Sequence, residues 1–149
     1  MSRSAELENR AVALLARRDY GRAELRERLL QRFPDEGEQV ETLLDALSER
    51  GWLDEQRFVD SAVDQYRARG DGPAKIRHRL AGRLDEAWRL DEALAAVDED
   101  VWVETAREAL RKKFGTTERP RDPKEVARRL RFLQGRGFTS AQCWSAFEE

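Results

Sequence analysis

A concentration of basic side chains near the middle of the chain is the first feature whose chemistry suggests a function. Arg67, Arg69, Lys75, Arg77 and Arg79 lie within fifteen residues, and the sequence Gly-Asp-Gly-Pro interrupts them. Guanidinium groups bind carboxylates and phosphates through paired hydrogen bonds, whereas a lysine ammonium acts as a point charge. The segment therefore has two open interpretations: a solvated helix face, or a surface that docks onto a polyanion or an acidic protein groove.

Side chains that commonly perform catalysis or bind metals are scarce. The 149 residues include one cysteine, Cys143, and one histidine, His78, so an intrachain disulfide is impossible. A zinc site or a Cys–His catalytic pair lacks the necessary residues. The sequence contains no glycine-rich phosphate loop and no HExxH or GxSxG motif. We therefore predict a binding protein that is not an enzyme and that uses no cofactor or metal.

The composition favours small helical units over one large core. Charged residues make up 39% of the chain and apolar residues 40%, a balance typical of units with much surface per volume. The net charge of −2 means that nucleic-acid binding would need a local basic patch. No apolar run approaches the roughly 20 residues of a membrane span, and the N-terminus does not resemble a signal peptide. These features predict a cytoplasmic protein with no membrane partner.

Apolar residues recur at spacings of three and four along the whole chain, which predicts nine helices and an all-α fold. Gly51 and Gly115 have the positions of C-terminal helix caps. Asp54 is expected to cap the fourth helix, Pro73 to open the fifth, and Asp85 to start the sixth.

The four tryptophans are expected to pack rather than to stack on bases. Trp52 follows a glycine cap and could fold back on its helix. Trp88, Trp102 and Trp144 occupy positions in apolar stripes, which favours a place in the core or between repeats.

An internal sequence repeat indicates how these helices are grouped. The segment "ARRDYGRAELRERLLQR" aligns with "RARGDGPAKIRHRLAGR" at a shift of 51, which pairs Gly21 with Gly72 and Leu29 with Leu80. A second similarity pairs "LAGR" (80–83) with "LQGR" (133–136). We predict three repeats of three helices each, spanning residues 1–52, 53–98 and 99–149. Such repeats stack end to end, which predicts an elongated, curved array.

Three segments carry a resemblance to a known family: "LLARRDYGRAELRERLLQR", "LSERGWLDEQRFVDSAVDQYRARGDGPAKIRHRL" and "RRLRFLQGRGFTSAQCW". Together they resemble the RecX family of recombination regulators. The central block is the most specific part, with Gly51, Asp54, the pair Arg57–Phe58 and Pro73 in the family pattern. The chain departs from that pattern at "AGRLDE", before the sixth helix. The resemblance implies tandem three-helix repeats that bind RecA filaments within their helical groove and restrain those filaments, with a role in recombination, DNA repair and the SOS response.

Charge alternates in blocks along the chain. In residues 67–83 six basic residues oppose one acidic residue (+5), in 85–108 nine acidic residues oppose two basic ones (−7), and in 111–136 ten basic residues oppose three acidic ones (+7). Blocks of opposite sign suit docking along a charged groove, although each block could also be a solvated helix face.

Three functions therefore remain open, the last of which is a plain helical scaffold for some other acidic or basic partner. The first is a monomeric modulator that binds a RecA filament and touches single- or double-stranded DNA weakly or through that filament. The second is a helical module that contacts DNA phosphates directly. The candidate contact residues are Arg57, Tyr66, Arg67, Arg69, Lys75, Arg77, Arg79, Arg83, Arg128 and Arg131.

Overall fold

The computed structural model describes residues 2–149, and that range contains nine helices and no β-strand. The all-α prediction is confirmed. The helices are α1 (Arg3–Arg17), α2 (Arg22–Arg32), α3 (Gly37–Glu49), α4 (Glu55–Ala68), α5 (Pro73–Leu80), α6 (Trp88–Ala95), α7 (Glu99–Phe114), α8 (Pro123–Gly135) and α9 (Ser140–Ala146).

Most helix ends lie where the capping residues predict them. Gly51 and Gly115 adopt φ values of 77° and 78°, the left-handed conformation that ends a helix at glycine. The Asp54 carboxylate accepts a hydrogen bond from the backbone N–H of Arg57 at 3.0 Å. Pro73 is the first residue of α5. Local sequence therefore determines these boundaries.

The sixth helix begins three residues later than predicted, because a buried carboxylate engages the segment before it. Glu55 is 8% exposed and accepts hydrogen bonds from the backbone N–H groups of Asp85 (3.0 Å) and Glu86 (2.9 Å). It also accepts one from the N–H of Arg22 (2.9 Å), the first residue of α2. Helix α2 has no side-chain cap of its own, since Gly21 precedes it. Glu55 thus satisfies backbone donors that would otherwise be unpaired.

The chain divides into two compact units. The first comprises Met1–Ser61 with Leu80–Leu90, and the second Ala62–Arg79 with Asp91–Glu149. In the first unit α1, α2 and α3 pack around a continuous apolar core. In the second unit α7, α8 and α9 pack on one another around Trp102, Leu110 and Leu133.

In each unit a glycine lies close to a turn, and the two turns contain the similar sequences "LAGR" and "LQGR". In the first unit a Cβ on Gly21 would lie 2.0 Å from the carbonyl oxygen of Arg83. The same oxygen accepts a hydrogen bond from the N–H of Glu24 at 3.1 Å. Glycine at position 21 is therefore required by this approach, beyond being a tolerable helix cap.

The second unit has a similar close approach between Gly72 and the turn at residues 136–137, with different hydrogen-bonding residues. The N–H of Gly72 donates to the carbonyl of Arg136 at 2.7 Å, and the N–H of Ala74 donates to that of Gly137 at 3.0 Å. A Cβ on Gly72 would lie 2.5 Å from the carbonyl carbon of Gly137. The glycine pairing and the similarity between "LAGR" and "LQGR" therefore reflect one repeated junction.

The prediction of a core position is right for Trp102 and wrong for Trp88 and Trp144, while the folding back of Trp52 on its helix stays a prediction. Trp102 is 3% exposed, whereas Trp52, Trp88 and Trp144 are 45–50% exposed. The guanidinium of Arg89 lies 4.4 Å from the ring centroid of Trp88, which covers one face of that ring. In the short helix α9 smaller residues take the inward positions, so the large indole lies outside.

Arg26 joins three elements of the first unit through carboxylates. It donates to both oxygens of Asp85 at 2.8 and 2.7 Å and to Glu41 on α3. The hydrogen bond from Arg26 is the largest cause that lowers the pKa of Asp85 below its usual range, and the same holds for Glu41. This network fixes α2 against α3 and against the segment before α6.

We predict that Gly72→Ala lowers the free energy of unfolding by about 3 kcal/mol, because the new methyl group meets rigid backbone atoms. Gly135→Ala is the matched control, since nothing lies within 4 Å of its would-be Cβ. Urea denaturation followed by circular dichroism measures both variants. Equal effects of the two substitutions would disprove the close-contact explanation.

We predict that Arg26→Met destabilises the chain by about 1 kcal/mol at pH 7, allowing for solvent screening of partly exposed pairs. Asp85 and Glu41 have lowered pKa values in the folded state, so their pairing with Arg26 contributes stability above the unfolded-state pKa near 4. That contribution disappears as the pH falls through the folded-state values. The difference between wild type and variant, measured by denaturation from pH 7 to pH 3, should therefore shrink; a constant difference would contradict this account.

Candidate functional site

Two predicted contact residues of the first unit are engaged within the chain. Arg57 donates from Nε to both oxygens of Asp19 at 3.0 and 3.1 Å, and this hydrogen bond raises the arginine pKa. Arg83 donates to Glu24 at 3.0 Å and lies 5.0 Å from the ring centroid of Phe58. Both arginines therefore already contact other elements of this unit.

In the second unit a buried aspartate organises the basic segment. Asp71 is fully buried, and its Oδ2 accepts a hydrogen bond from Nε of Arg79 at 2.6 Å. A guanidinium nitrogen of Arg136 lies 3.6 Å from Oδ1 of the same carboxylate. A buried charge is tolerated only when opposite charges and donors surround it, so Arg79 is needed to hold Asp71.

The segment 70–73, which interrupts the basic residues, is held by these contacts. Arg136 donates to the carbonyl oxygens of Arg69 and Gly70, the latter at 3.2 Å. The Tyr66 ring lies beneath the guanidinium of Arg79, whose carbon is 5.1 Å from the ring centroid. The interruption in the basic segment is thus a fixed joint.

Sequence reasoning missed Asp71 and Arg136 as structural residues. It treated Asp71 as one opposing charge within a basic block. The signal for Arg136 was available, because the similarity of "LAGR" and "LQGR" pairs it with Arg83. Both of these arginines follow a repeated turn and reach back to the segment that contains the junction glycine of their own unit.

Three further candidates form ion pairs on the surface, where such pairs are worth about 0–1 kcal/mol. The pairs are Arg77 with Asp91, Arg67 with Asp64 at 3.6 Å, and Arg128 with Glu125 at 2.8 Å. Because these interactions are weak, the arginines can exchange them for an external carboxylate or phosphate at little cost.

The remaining candidates are the most available cations. Within residues 2–149, Arg69, Lys75 and Arg131 have no carboxylate partner. Arg69 and Arg131 are exposed, and Lys75 is half-buried. Arg69 lies 5.7 Å from the Tyr66 ring centroid. All three belong to the second unit, so the structure gathers the free members of the predicted set there.

An aromatic pair that sequence reasoning did not single out lies among cations of the same unit. Phe114 and Phe132 meet edge to face, with ring centroids 5.5 Å apart. Arg128 and Arg129 approach the Phe114 ring at 5.1 and 4.8 Å, and Lys113 approaches the Phe132 ring at 5.9 Å. We call these five residues the aromatic–cation cluster; both rings are half-buried.

Other site chemistry finds little support in the described residues. Residues 2–149 contain no group of three or more His, Cys, Asp or Glu side chains placed to hold a metal ion. Burial raises the pKa of the Cys143 thiol to about 11, which leaves it protonated at neutral pH. Across this range, no helix is both long and apolar enough to cross a membrane.

Comparison with known proteins gives consistent similarities over nearly the whole chain. A family model described as RecX, third three-helix domain, matches residues 99–147. Proteins named Regulatory protein RecX are similar in sequence: that of Chromohalobacter salexigens is 44% identical over 89% of this chain and 84% of its own. That of Halorhodospira halophila is 38% identical over 96% of this chain and 87% of its own.

Solved structures show the same fold. The crystal structure of RecX from Lactobacillus salivarius superposes with a TM-score of 0.80 at 16% identity, covering 96% of this chain and 93% of that one. A second crystal structure, of regulatory protein RecX, gives a TM-score of 0.76 at 20% identity over 93% of this chain and 70% of the other.

We predict that Arg79→Ala lowers the free energy of unfolding by about 2 kcal/mol, because it leaves the Asp71 carboxylate buried with fewer donors. Arg77→Ala, two residues away on the same helix, should cost less than about 1 kcal/mol because its pair with Asp91 is exposed. Thermal and urea denaturation measure both. If the two variants were equally stable, Asp71 would not depend on Arg79.

Proposed function

The chain belongs to the RecX family of regulatory proteins, and from this membership we propose that it binds the RecA recombinase filament on DNA and restrains it. Its relatives carry the name of a regulatory protein at about 40% identity over most of their length, which is the observation that carries the proposal. The activities affected would be ATP hydrolysis, strand exchange and the coprotease function of the filament. The protein would act in the cytoplasm as a monomeric binding protein without catalysis of its own.

We propose that the free cations of the second unit make the contact. Arg69, Lys75 and Arg131 have no carboxylate partner within residues 2–149, so binding an acidic surface breaks no ion pair. Arg67, Arg77 and Arg128 can join them by exchanging weak surface pairs.

Arg57, Arg79 and Arg83, by contrast, would act indirectly by holding the fold. Tyr66 would support Arg69 and Arg79 through its ring. The division into three repeats at residues 1–52, 53–98 and 99–149 is part of the same proposal.

Direct contact with DNA is a second candidate, and the aromatic–cation cluster favours it. Cations beside aromatic rings are typical of surfaces that track a phosphate backbone and stack on bases. Three exposed cations add positive charge on α7 and α8, the two helices that carry this cluster: Lys112, Lys124 and Arg131. A filament displays both protein and DNA, so one surface could serve both contacts.

We predict that the triple variant Arg69→Glu, Lys75→Glu and Arg131→Glu weakens capture by filaments at least about tenfold, because attraction becomes repulsion at three positions. Filaments of RecA on single-stranded DNA would be immobilised, and both retention and the rate of ATP hydrolysis measured. Circular dichroism should show unchanged helicity, since none of the three side chains forms an ion pair in the described chain.

The matched control reverses three exposed arginines of the first unit, Arg17, Arg28 and Arg32, and should retain wild-type capture. Equal losses in both variants would show that total charge, and not the proposed surface, determines binding. Bare single-stranded DNA serves as the second control. Equal affinity for bare DNA and filament, with a steep dependence on salt, would favour the direct DNA contact.

A further inference from the structure

The second unit contains a groove of about 840 Å³. Its walls are one face of α7, the end of α4 with the turn that follows it (residues 67–70), and the side chains of Phe132 and Arg136. We call it the α7 groove. Gly70 lies beside Ala109, since a Cβ on Gly70 would be 3.7 Å from that of Ala109.

The α7 wall consists of two rows of side chains spaced four residues apart. The row on the groove floor begins with three small or β-branched residues, and the row beside it is fully charged. The floor row is Val101, Thr105, Ala109 and Lys113, and the charged row is Asp100, Glu104, Glu108 and Lys112. A low row beside a tall one is the surface into which a ridge of a second helix packs.

Charge along the groove changes sign from one end to the other. The N-terminal and middle parts of α7 contribute Asp100, Glu104 and Glu108, and its C-terminal end contributes Lys112 and Lys113. Arg67 and Arg69 approach from α4 near the level of Ala109 and add to the basic half. The Nε of Arg67 is buried and has no hydrogen-bond partner within residues 2–149.

We propose that the α7 groove binds an amphipathic α-helix of a partner protein, lying antiparallel to α7. The lining from Asp100 to Lys113 corresponds to about 20 Å, or between three and four helical turns. Helices commonly carry acidic residues in their first turn and basic residues in their last, which complements their dipole. An antiparallel helix of this kind places its acids beside Lys112 and Lys113 and its bases beside Asp100 and Glu104.

We infer a helical occupant because the two rows of α7 side chains repeat every four residues. We infer an antiparallel direction because of the order of charges along the groove. Apolar side chains of the occupant would cover the floor residues and Phe132. That the helix belongs to a recombinase subunit rests on the proposed function. The helical, charge-ordered nature of the occupant rests on the groove alone.

The test uses two hydrocarbon-stapled 14-residue peptides, so that both are helical. The forward peptide carries leucines at i, i+3, i+4 and i+7, two glutamates in the first turn and two lysines in the last. The reversed peptide exchanges glutamate and lysine. We expect the 149-residue chain to bind the forward peptide about tenfold more tightly in fluorescence anisotropy, since the reversed peptide meets like charges in the proposed antiparallel direction.

A charge-swapped protein makes the direction testable. The variant combines Asp100→Lys, Glu104→Lys, Lys112→Glu and Lys113→Glu, and should prefer the reversed peptide by a similar factor. Thr105→Trp, which fills the floor of the groove, should weaken both peptides at least about tenfold. Circular dichroism verifies that each variant is folded.

Glu27→Lys combined with Glu49→Lys is the matched control, because both acids are exposed and lie on helices outside the groove. It should keep the wild-type preference. The proposal is overturned if wild type binds both peptides equally or binds neither, or if the charge swap leaves the preference unchanged. It is also overturned if sedimentation shows a dimer that Thr105→Trp dissociates, since a second copy would then be the occupant.

The two proposals fail separately. Filament capture without peptide selectivity would leave the proposed function standing and remove the helix groove. Peptide selectivity without filament capture would leave the groove standing and direct the search to another helical partner.

Discussion

The basic surface of the second unit depends on the ion pairs formed by the buried carboxylate of Asp71. Removing a charge from water costs several kcal/mol unless opposite charges and donors replace the solvent. Arg79 from α5 supplies a charge and a donor to Oδ2, and Arg136 from the turn after α8 supplies a second positive charge 3.6 Å from Oδ1, which within residues 2–149 accepts no hydrogen bond. Because Arg136 also binds the backbone of residues 69 and 70, the same ions that neutralise Asp71 fix the joint between α4 and α5. The positions of Arg69 and Lys75 follow from that joint.

Glu55 performs the corresponding task in the first unit by a different route. Its carboxylate satisfies three backbone N–H groups, and Arg26 joins α2 to α3 and to Asp85 on the surface nearby. Close backbone approaches at Gly21 and Gly72 complete the two junctions. A chain that is 39% charged therefore adds buried carboxylates and close glycine contacts to its apolar cores to hold its elements.

This use of charge divides the arginines into two classes. Those bound to buried or multiply bonded carboxylates determine the fold, and those with weak or absent partners are available for binding. For a regulator that docks on a larger assembly this division is useful, because the binding cations can be exchanged without cost to the structure. The α7 groove adds a second kind of recognition, in which the order of charges along a helix selects direction.

The sequence by itself determined the helices, most of their ends, the repeated glycine junction and the family. These follow from interactions within a few residues, such as the Asp54 and Thr139 caps, or from patterns that repeat along the chain. Only the tertiary structure decided which arginines are engaged within the fold and which are free, because the partners of the engaged ones are distant in sequence. Arg83 binds Glu24, and Arg136 contacts Gly70 and Asp71. It also decided that three tryptophans are exposed, since a place in an apolar stripe does not specify whether another helix covers it.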